Sequence, residues 1–309
     1  MNYIKLITLL VITSFIYFIY LFIPNTLNVA GSVKTKQVQN TVLRGFMQLE
    51  HWDKWIAQKR IDSNSYTLAN GVLKIKSSFV SNVFCDYIIK DKTIPVTFTV
   101  EAEGKDASKI EFQLSFDNKT FLPWQRVANY FLAQHINTEL TDLIHKASNY
   151  YRSTIANYGF EIKEEKIKDS LLVSTEKYYA DTPTIAQVYG KLDELKKYVD
   201  SKKGVLHGDP MVYIARDAKR VYLQVAYLLE KEIPATSLFD VRKIKVKNLV
   251  SINLVGDAQL AYKAKYEAEN YIHDQSKFAP IMPYIIYHSN RLLEQDSSKW
   301  NSTVFYPIF

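Results

Sequence analysis

The second half of this chain contains an internal duplication, which constrains the fold more than any other feature of the sequence. Lys-Ile-Lys occurs at 166–168 and again at 243–245, and Leu-Val-Ser occurs at 172–174 and again at 249–251, each displaced by 77 residues. Beyond these the displacement becomes 73 and relates five further pairs: Tyr189 and Tyr262, Tyr198 and Tyr271, Val199 and Ile272, Pro210 and Pro283, Pro234 and Pro307. One register held over so many residues predicts two copies of one structural unit.

Each copy reads as a strand, a helix and two further strands. In the first copy the helix carries one apolar stripe, formed by Val188, Leu192, Leu195 and Val199. Strands at 211–215 and 221–228 follow it. Two such units are expected to pair into one sheet with both helices on one face, which leaves a groove between the halves.

The doubled β-α-β-β pattern and the ending at 300–308 (WNSTVFYPI) resemble the GyrI-like, or AraC-effector-binding, small-molecule domain. The closing strand of that family commonly ends in a Tyr-Pro-Ile type sequence. The resemblance implies a small-molecule-binding domain over 156–309. The family's acidic position in the closing strand falls on Thr303, which holds no negative charge at neutral pH. That departure puts cation binding and hydrolysis of the family type in doubt.

The preceding region, 26–155, is predicted to form a second α+β domain. Its expected elements are a strand at 26–33, a helix at 37–56 interrupted at Gly45, a hairpin turning at Asn70-Gly71, strands at 83–89, 93–101 and 109–115, and an amphipathic helix at 127–151. This order, with the corner His51-Trp52-Asp53-Lys54-Trp55, resembles the START-like (SRPBCC, polyketide cyclase/dehydrase-type) helix-grip domains. The resemblance implies a cavity between the sheet and the long helix.

The N-terminal run Leu6 to Ile23 holds eighteen residues without a charge. As a helix it would span roughly 27 Å, enough to cross a bilayer. The bulky Tyr17 and Tyr20 near its end favour a retained anchor at 1–25 over a cleaved signal peptide, for which Val29-Ala30-Gly31 is the alternative cleavage site. Lysines flank both sides, so the positive-inside rule does not set the orientation. Short N-terminal anchors usually insert with the N-terminus inside, which would place the domains outside the cytoplasm.

Several function classes lack support in the sequence. The formal net charge of +7 is spread along the chain, without the basic patch or recognition helix that nucleic-acid binding requires. The six histidines show no metal-ligand spacing, and glycine-rich phosphate loops are missing. The single cysteine, Cys85, lies in an apolar strand-like run. We therefore expect no metal, no cofactor and no nucleic acid.

Aromatic side chains are the candidate ligand-binding residues. They are Tyr213, Tyr222, Tyr287, Trp300 and Tyr306 in the C-terminal half, and Trp52 and Trp55 in the N-terminal domain. Aromatic walls with few polar groups suit a flat or apolar ligand. Side chains alternate between the faces of a strand, so an ordinary place in the core is the alternative for each residue.

The sequence thus predicts a membrane-anchored protein that binds or senses a small apolar or aromatic molecule. One alternative is a hydrolase or isomerase that uses Glu230 or Glu232 in the groove, which requires a buried carboxylate with a raised pKa. Another is a protein-interaction module at the membrane, which requires a contiguous exposed apolar patch and no enclosed cavity.

Overall fold

Two units, Met1–Ser153 and Thr154–Phe309, make up the chain in the computed structural model. The structure describes residues 2–56, 60–166, 170–244 and 248–309. Each unit is built on one antiparallel sheet, of seven strands in the first and eight in the second. The predicted α+β class is confirmed.

The N-terminal unit places one sheet beside a long helix. It begins with α1 (Asn2–Phe22), β1 (Thr26–Thr35), α2 (Gln39–Met47) and α3 (Leu49–Trp55). The strands β2 (Arg60–Asp62), β3 (Ser65–Thr67), β4 (Val72–Phe79), β5 (Asn82–Ile89), β6 (Lys92–Ala102) and β7 (Ser108–Asp117) follow, and α4 (Pro123–Tyr151) closes the unit. The strand order is β1-β7-β6-β5-β4-β3-β2. Apolar residues of α4 at helical spacing, including Ile136, Leu140 and Leu143, are buried in the same core as the strands.

The single helix predicted at 37–56 is two helices, and the break lies at Gln48 rather than at Gly45. Gln48 has an extended backbone (φ −91°, ψ 107°) that ends α2 and precedes α3. The indole N–H of Trp52 donates to the carbonyl of Phe46 over 2.7 Å. This bond satisfies one of the carbonyls that the end of α2 leaves without an intrahelical partner.

The N-terminal helix α1 is exposed along most of its length. Tyr3–Phe22 has a mean hydropathy of 2.2, and it is the one helix among the described residues that is long and apolar enough to cross a membrane. A signal sequence would share these properties. Arg126 of α4 holds the end of α1, because its Nε donates to the Ile23 carbonyl over 2.7 Å. A cation at a helix C-terminus also complements the helix dipole.

The C-terminal unit contains the duplication. Its elements are α5 (Thr154–Tyr158), β8 (Lys163–Lys166), β9 (Ser170–Tyr179), α6 (Ile185–Ser201), β10 (Leu206–Arg216), β11 (Val221–Leu229), β12 (Asp240–Ile244), β13 (Asn248–Val255), α7 (Ala258–Asp274), β14 (Tyr284–Tyr287) and β15 (Asn301–Ile308), with one 3-10 turn at Ser297–Lys299. The copies are β9-α6-β10-β11 and β13-α7-β14-β15. Both helices have 17 residues and begin 73 residues apart, as the repeat register predicts.

The two copies are related by a pseudo-twofold axis through the sheet centre. The strand order β12-β9-β11-β10-β14-β15-β13-β8 maps onto itself when the copies are exchanged. Val212 lies opposite Ile285, its own equivalent at a displacement of 73, so the axis passes between them. The strand that precedes each copy pairs with the other copy. β8, which precedes the first copy, pairs with β13, and β12, which precedes the second copy, pairs with β9.

The symmetry fails in the connection before the last strand. Val212 pairs with Val225 in the first copy, and Ile285 pairs with Val304 in the second. The last strands are therefore displaced by 79 residues rather than 73, because the chain from Ile285 to Val304 is six residues longer than the chain from Val212 to Val225.

One predicted repeat pair is wrong as a structural equivalence. Pro307 lies inside β15, whereas Pro234 lies after the end of β11. The longer β14–β15 connection moves the second copy out of the 73-residue register before Pro307 is reached.

Candidate functional site

A groove lies between α6 and α7 above the centre of the C-terminal sheet. Its volume is about 180 Å³. The side chains that line it are Ile185, Val188 and Tyr189 from α6, Ala258, Ala261, Tyr262 and Lys265 from α7, Val212, Tyr213, Ile214, Ile285, Tyr287 and Val304 from the sheet, and Thr182, Pro183, Pro283, Arg291 and Trp300 from connections. Most of this surface is apolar or aromatic.

The pseudo-symmetry explains why the seam between the helices stays open. Val212 and Ile285 sit opposite each other on one sheet face, and both helices pack on that face. The repeat register pairs Ile185 with Ala258 and Val188 with Ala261. At both positions α7 carries alanine where α6 carries a larger residue, so α7 fills less of the space above the sheet.

Arg291 is the buried charge of the groove. It lies in the β14–β15 connection and is 5% exposed. Its guanidinium carbon is 3.4 Å from the centroid of the Tyr287 ring and 4.6 Å from that of Trp300, which are cation–π distances. Its Nε and Nη2 atoms are buried and have no hydrogen-bond partner among the described residues.

The connection that carries Arg291 is fixed by hydrogen bonds. The backbone N–H of Arg291 donates to the Tyr189 hydroxyl on α6 over 2.8 Å. The Trp300 indole N–H donates to the Glu294 carbonyl, also over 2.8 Å. These bonds hold the guanidinium and the Trp300 ring at the groove wall.

Burial shifts the pKa values of several side chains in the groove. Desolvation raises the pKa of the Tyr287 hydroxyl, and burial likewise raises the pKa of Tyr213. Desolvation lowers the pKa of Arg291, although a guanidinium keeps its proton in proteins. Tyr213 and Tyr287 are thus neutral at pH 7, while Arg291 is a cation. The described lining contains no aspartate or glutamate.

The predicted ligand-binding residues fall into three places. Tyr213, Tyr287 and Trp300 line the groove together. Tyr306 lies in the core beneath α7, where its hydroxyl donates to Glu269. Tyr222 lies on the opposite face of the sheet, in a separate cleft, and donates to Glu176.

Trp52 and Trp55 belong to the packed interior of the N-terminal unit. They are 0% and 5% exposed, and their ring centroids are 4.8 Å apart. Phe46 packs against both rings, with its centroid 4.9 Å from Trp52 and 5.8 Å from Trp55. These two rings fill space and leave none for a ligand at their own positions.

Thr303 does not face the groove. Val304 packs beneath α7, so the strand alternation points Thr303 to the opposite side of the sheet. There its hydroxyl donates to Asn253 over 2.6 Å and lies 2.7 Å from Nε2 of His288. The other ring nitrogen of His288 is 2.6 Å from Asp209. The residue at position 303 therefore does not decide the charge of the groove.

The carboxylates of the enzyme hypothesis lie elsewhere. Glu230 and Glu232 are both exposed in the segment after β11, and neither lines the groove. The burial that the hypothesis requires is not met.

The face of the sheet away from the helices carries an apolar cleft of about 250 Å³. Its lining includes Leu172, Met211, Ile286 and Phe305. Leu172 and Met211 are buried, so this cleft is not the contiguous exposed apolar patch that the interaction-module hypothesis requires.

Sequence reasoning missed Tyr189, Tyr262, Lys265 and Arg291 as groove residues. A signal existed for the two tyrosines, because they are equivalent in the repeat register and lie on the paired helices. Arg291 had no such signal, since a charged residue in a connection is ordinarily solvated.

Comparisons with known proteins establish little for this chain. Neither a protein-family profile nor a curated protein sequence matches it. Among solved structures, the EcmrR C-terminal domain has 12% identity and a TM-score of 0.38, covering 48% of this chain and 98% of that one. A hydrolase from Listeria innocua has 11% identity and a TM-score of 0.36, covering 48% and 91%.

A third solved structure, SAV2435 bound to tetraphenylphosphonium, has 14% identity and a TM-score of 0.31, covering 48% of this chain and 94% of that one. With TM-scores below 0.5, these likenesses establish neither a family nor a ligand for the chain.

Proposed function

We propose that the C-terminal unit binds a small, largely apolar organic molecule in the groove between α6 and α7, in a protein that α1 anchors to a membrane. The observation that carries the proposal is a pocket of about 180 Å³ with apolar and aromatic walls at the symmetry axis of the unit. An apolar cavity of about 150 Å³ is enough to hold a benzene molecule. The groove therefore suits a ligand of one or two rings.

The doubled topology supports a GyrI-like domain over 156–309. The pseudo-twofold sheet with two helices on one face is the arrangement that the resemblance implies. The START-like domain over 26–155 stays a prediction. Its seven-stranded sheet and closing α4 are in keeping with it, but its tryptophans fill the interior instead of lining a cavity.

Aromatic residues beside the end of α1 support the anchor. The hydroxyl of Tyr20 donates to the Thr120 carbonyl over 3.3 Å, which brings the start of α4 next to α1. Phe121 is 99% exposed and Trp124 is 66% exposed at that point. Aromatic side chains at the end of an apolar span are typical of the membrane–water interface.

The retained anchor is tested by the mass of the protein in its host. Membranes are isolated and the intact mass is measured. We expect a chain that keeps residues 1–25 and stays with the membrane after alkaline washing. A mass that corresponds to a start near Gly31, in a soluble fraction, would instead identify the helix as a signal sequence.

The groove is tested by filling its mouth. We expect Ala258→Trp to weaken the binding of naphthalene-2-carboxamide, a neutral two-ring probe, at least about tenfold, because the indole would occupy the ligand's space. The matched control is Lys263→Trp, which adds the same side chain on the same helix outside the groove lining.

Binding is measured by calorimetry on the full chain in lipid nanodiscs, with empty discs as the blank, since detergent would compete for an apolar groove. Equal affinities in the two variants would contradict the proposed site.

A further inference from the structure

The guanidinium of Arg291 is an unusual feature of the groove, because its Nε and Nη2 atoms have no hydrogen-bond partner in the described part of the chain. A buried charge without a partner is costly, and buried cations in proteins are normally paired with an acid. The rings of Tyr287 and Trp300 offset part of that cost through cation–π contact. Ring faces accept no conventional hydrogen bond in the guanidinium plane, so the N–H groups at Nε and Nη2 are buried without an acceptor among the described residues.

The two acidic residues of the same connection do not meet this need. Asp296 accepts from the Ser298 hydroxyl and pairs with Lys299 over 3.4 Å. The Oε1 atom of Glu294 accepts a hydrogen bond from the backbone N–H of Asp296 over 3.0 Å.

Among the described residues that line the groove, the other charged side chain is Lys265, whose Nζ lies 5.4 Å from the Tyr213 ring centroid. Glu269 of α7, whose charge acts on Tyr213, lies outside this lining and accepts a hydrogen bond from the Tyr306 hydroxyl. Two cations and no acid in the described lining make the groove attractive to an anion.

A second unsatisfied donor lies on the same face of the sheet. Ser302 is fully buried, and its hydroxyl has no hydrogen-bond partner among the described residues. The alternation of β15 places it on the face of Val304, which lines the groove. Its cross-strand neighbour is Tyr287, the residue whose ring Arg291 covers.

We infer that the groove takes an amphiphilic carboxylate, with its flat apolar body between α6 and α7 and its carboxylate on the Nε and Nη2 atoms of Arg291. This inference rests on the proposed function and adds the charge of the ligand. A guanidinium presents its N–H groups in one plane, which matches the two oxygens of a carboxylate. The ring contacts hold that plane in place before the ligand arrives.

The test compares three probes that share one ring system and differ in charge: naphthalene-2-carboxylate, naphthalene-2-carboxamide and 2-naphthylmethylammonium. Affinities are measured on the full chain in nanodiscs, with empty-disc subtraction. We expect the carboxylate to bind at least about tenfold more tightly than the carboxamide, the factor that a hydrogen bond to a charged group supplies. We expect the ammonium to bind most weakly.

Variants then assign the preference to Arg291. Arg291→Met should lower the affinity for the carboxylate by a larger factor than the affinity for the carboxamide, and so remove the preference, because the apolar walls that both probes contact remain. Arg291→Lys should keep part of the preference, since it retains the charge and loses the planar pair of donors. Lys265→Met, the control at the second cation, should reduce carboxylate affinity less than Arg291→Met does.

The outcomes separate the inference from the proposed function. If wild-type protein binds the carboxylate and the carboxamide equally, or binds the ammonium best, the inference is wrong while the groove remains a binding site. If none of the three probes binds, the proposed function itself fails. A loss of carboxylate and carboxamide binding by the same factor in Arg291→Met would show a structural role for Arg291 and overturn the inference.

Discussion

Aromatic residues are abundant in both units, yet they fill the interior of one and line an opening in the other. In the N-terminal unit Phe46, Trp52 and Trp55 pack with ring centroids 4.8 to 5.8 Å apart. In the C-terminal unit Tyr287 and Trp300 are 8% exposed each and face a groove. The same residue types therefore pack a core in one unit and line a groove in the other, so composition alone does not predict a binding site.

The difference follows from how helices cover each sheet. The 29-residue α4 and the short α2 and α3 contribute side chains to one continuous core. In the C-terminal unit, two 17-residue helices stand on either side of a pseudo-twofold axis. Neither helix crosses the axis, so the seam stays open unless both copies supply large residues there. On the α7 side the lining residues include the small Ala258 and Ala261.

The largest expected effect tests this contrast directly. Trp52→Ala should destabilise the N-terminal unit by about 3–5 kcal/mol, because it leaves a closed cavity in a packed core. Trp300→Ala should cost the C-terminal unit less than about 2 kcal/mol, because the space it leaves joins an existing groove. Hydrogen exchange read by mass spectrometry reports the two units separately. An equal loss of unfolding free energy in the two variants would mean that the groove is packed as tightly as the N-terminal core.

The duplication shows how far the sequence predicts this fold. The 73-residue displacement places the start of α7 at Ala258 from the start of α6 at Ile185, and the structure confirms both helices. The six extra residues before β15 were not predicted. Pro234 and Pro307 are 73 residues apart by coincidence, so the sequence suggested that the 73-residue displacement continues to the end of the chain. The exchange of β8 and β12 between the copies was also not predicted, since a short strand carries no information about its partner.

The features that the sequence did not predict depend on tertiary contacts. No glycine or proline marks the break at Gln48, which the indole of Trp52 stabilises from the next helix. The burial of Arg291 depends on Tyr287, Trp300 and Tyr189, which lie on three different elements. A sequence pattern records neighbours along one element, so it predicted the helices and strands better than it predicted the residues of the site.

A smaller effect sharpens the contrast. Replacing a helical glycine with alanine should destabilise the N-terminal unit and stabilise the C-terminal unit. Gly45 of α2 is buried, and a Cβ there would overlap the Tyr151 ring. Tyr151 is 0% exposed and cannot move aside without disturbing Trp55, whose indole N–H donates to its hydroxyl over 3.2 Å. Gly45→Ala should therefore cost about 1–3 kcal/mol through overpacking.

Gly190 is the matched position in an open setting. It lies inside α6, and a Cβ there would meet nothing within 4 Å. Gly190→Ala should stabilise the C-terminal unit by about 0.5–1 kcal/mol, because alanine loses less backbone entropy in a helix. Thermal unfolding and hydrogen exchange of both variants measure whether each substitution raises or lowers the free energy of unfolding of its unit. If Gly45→Ala were also stabilising, the ring of Tyr151 would have room to shift, and the N-terminal interior would hold unfilled space that a ligand could share.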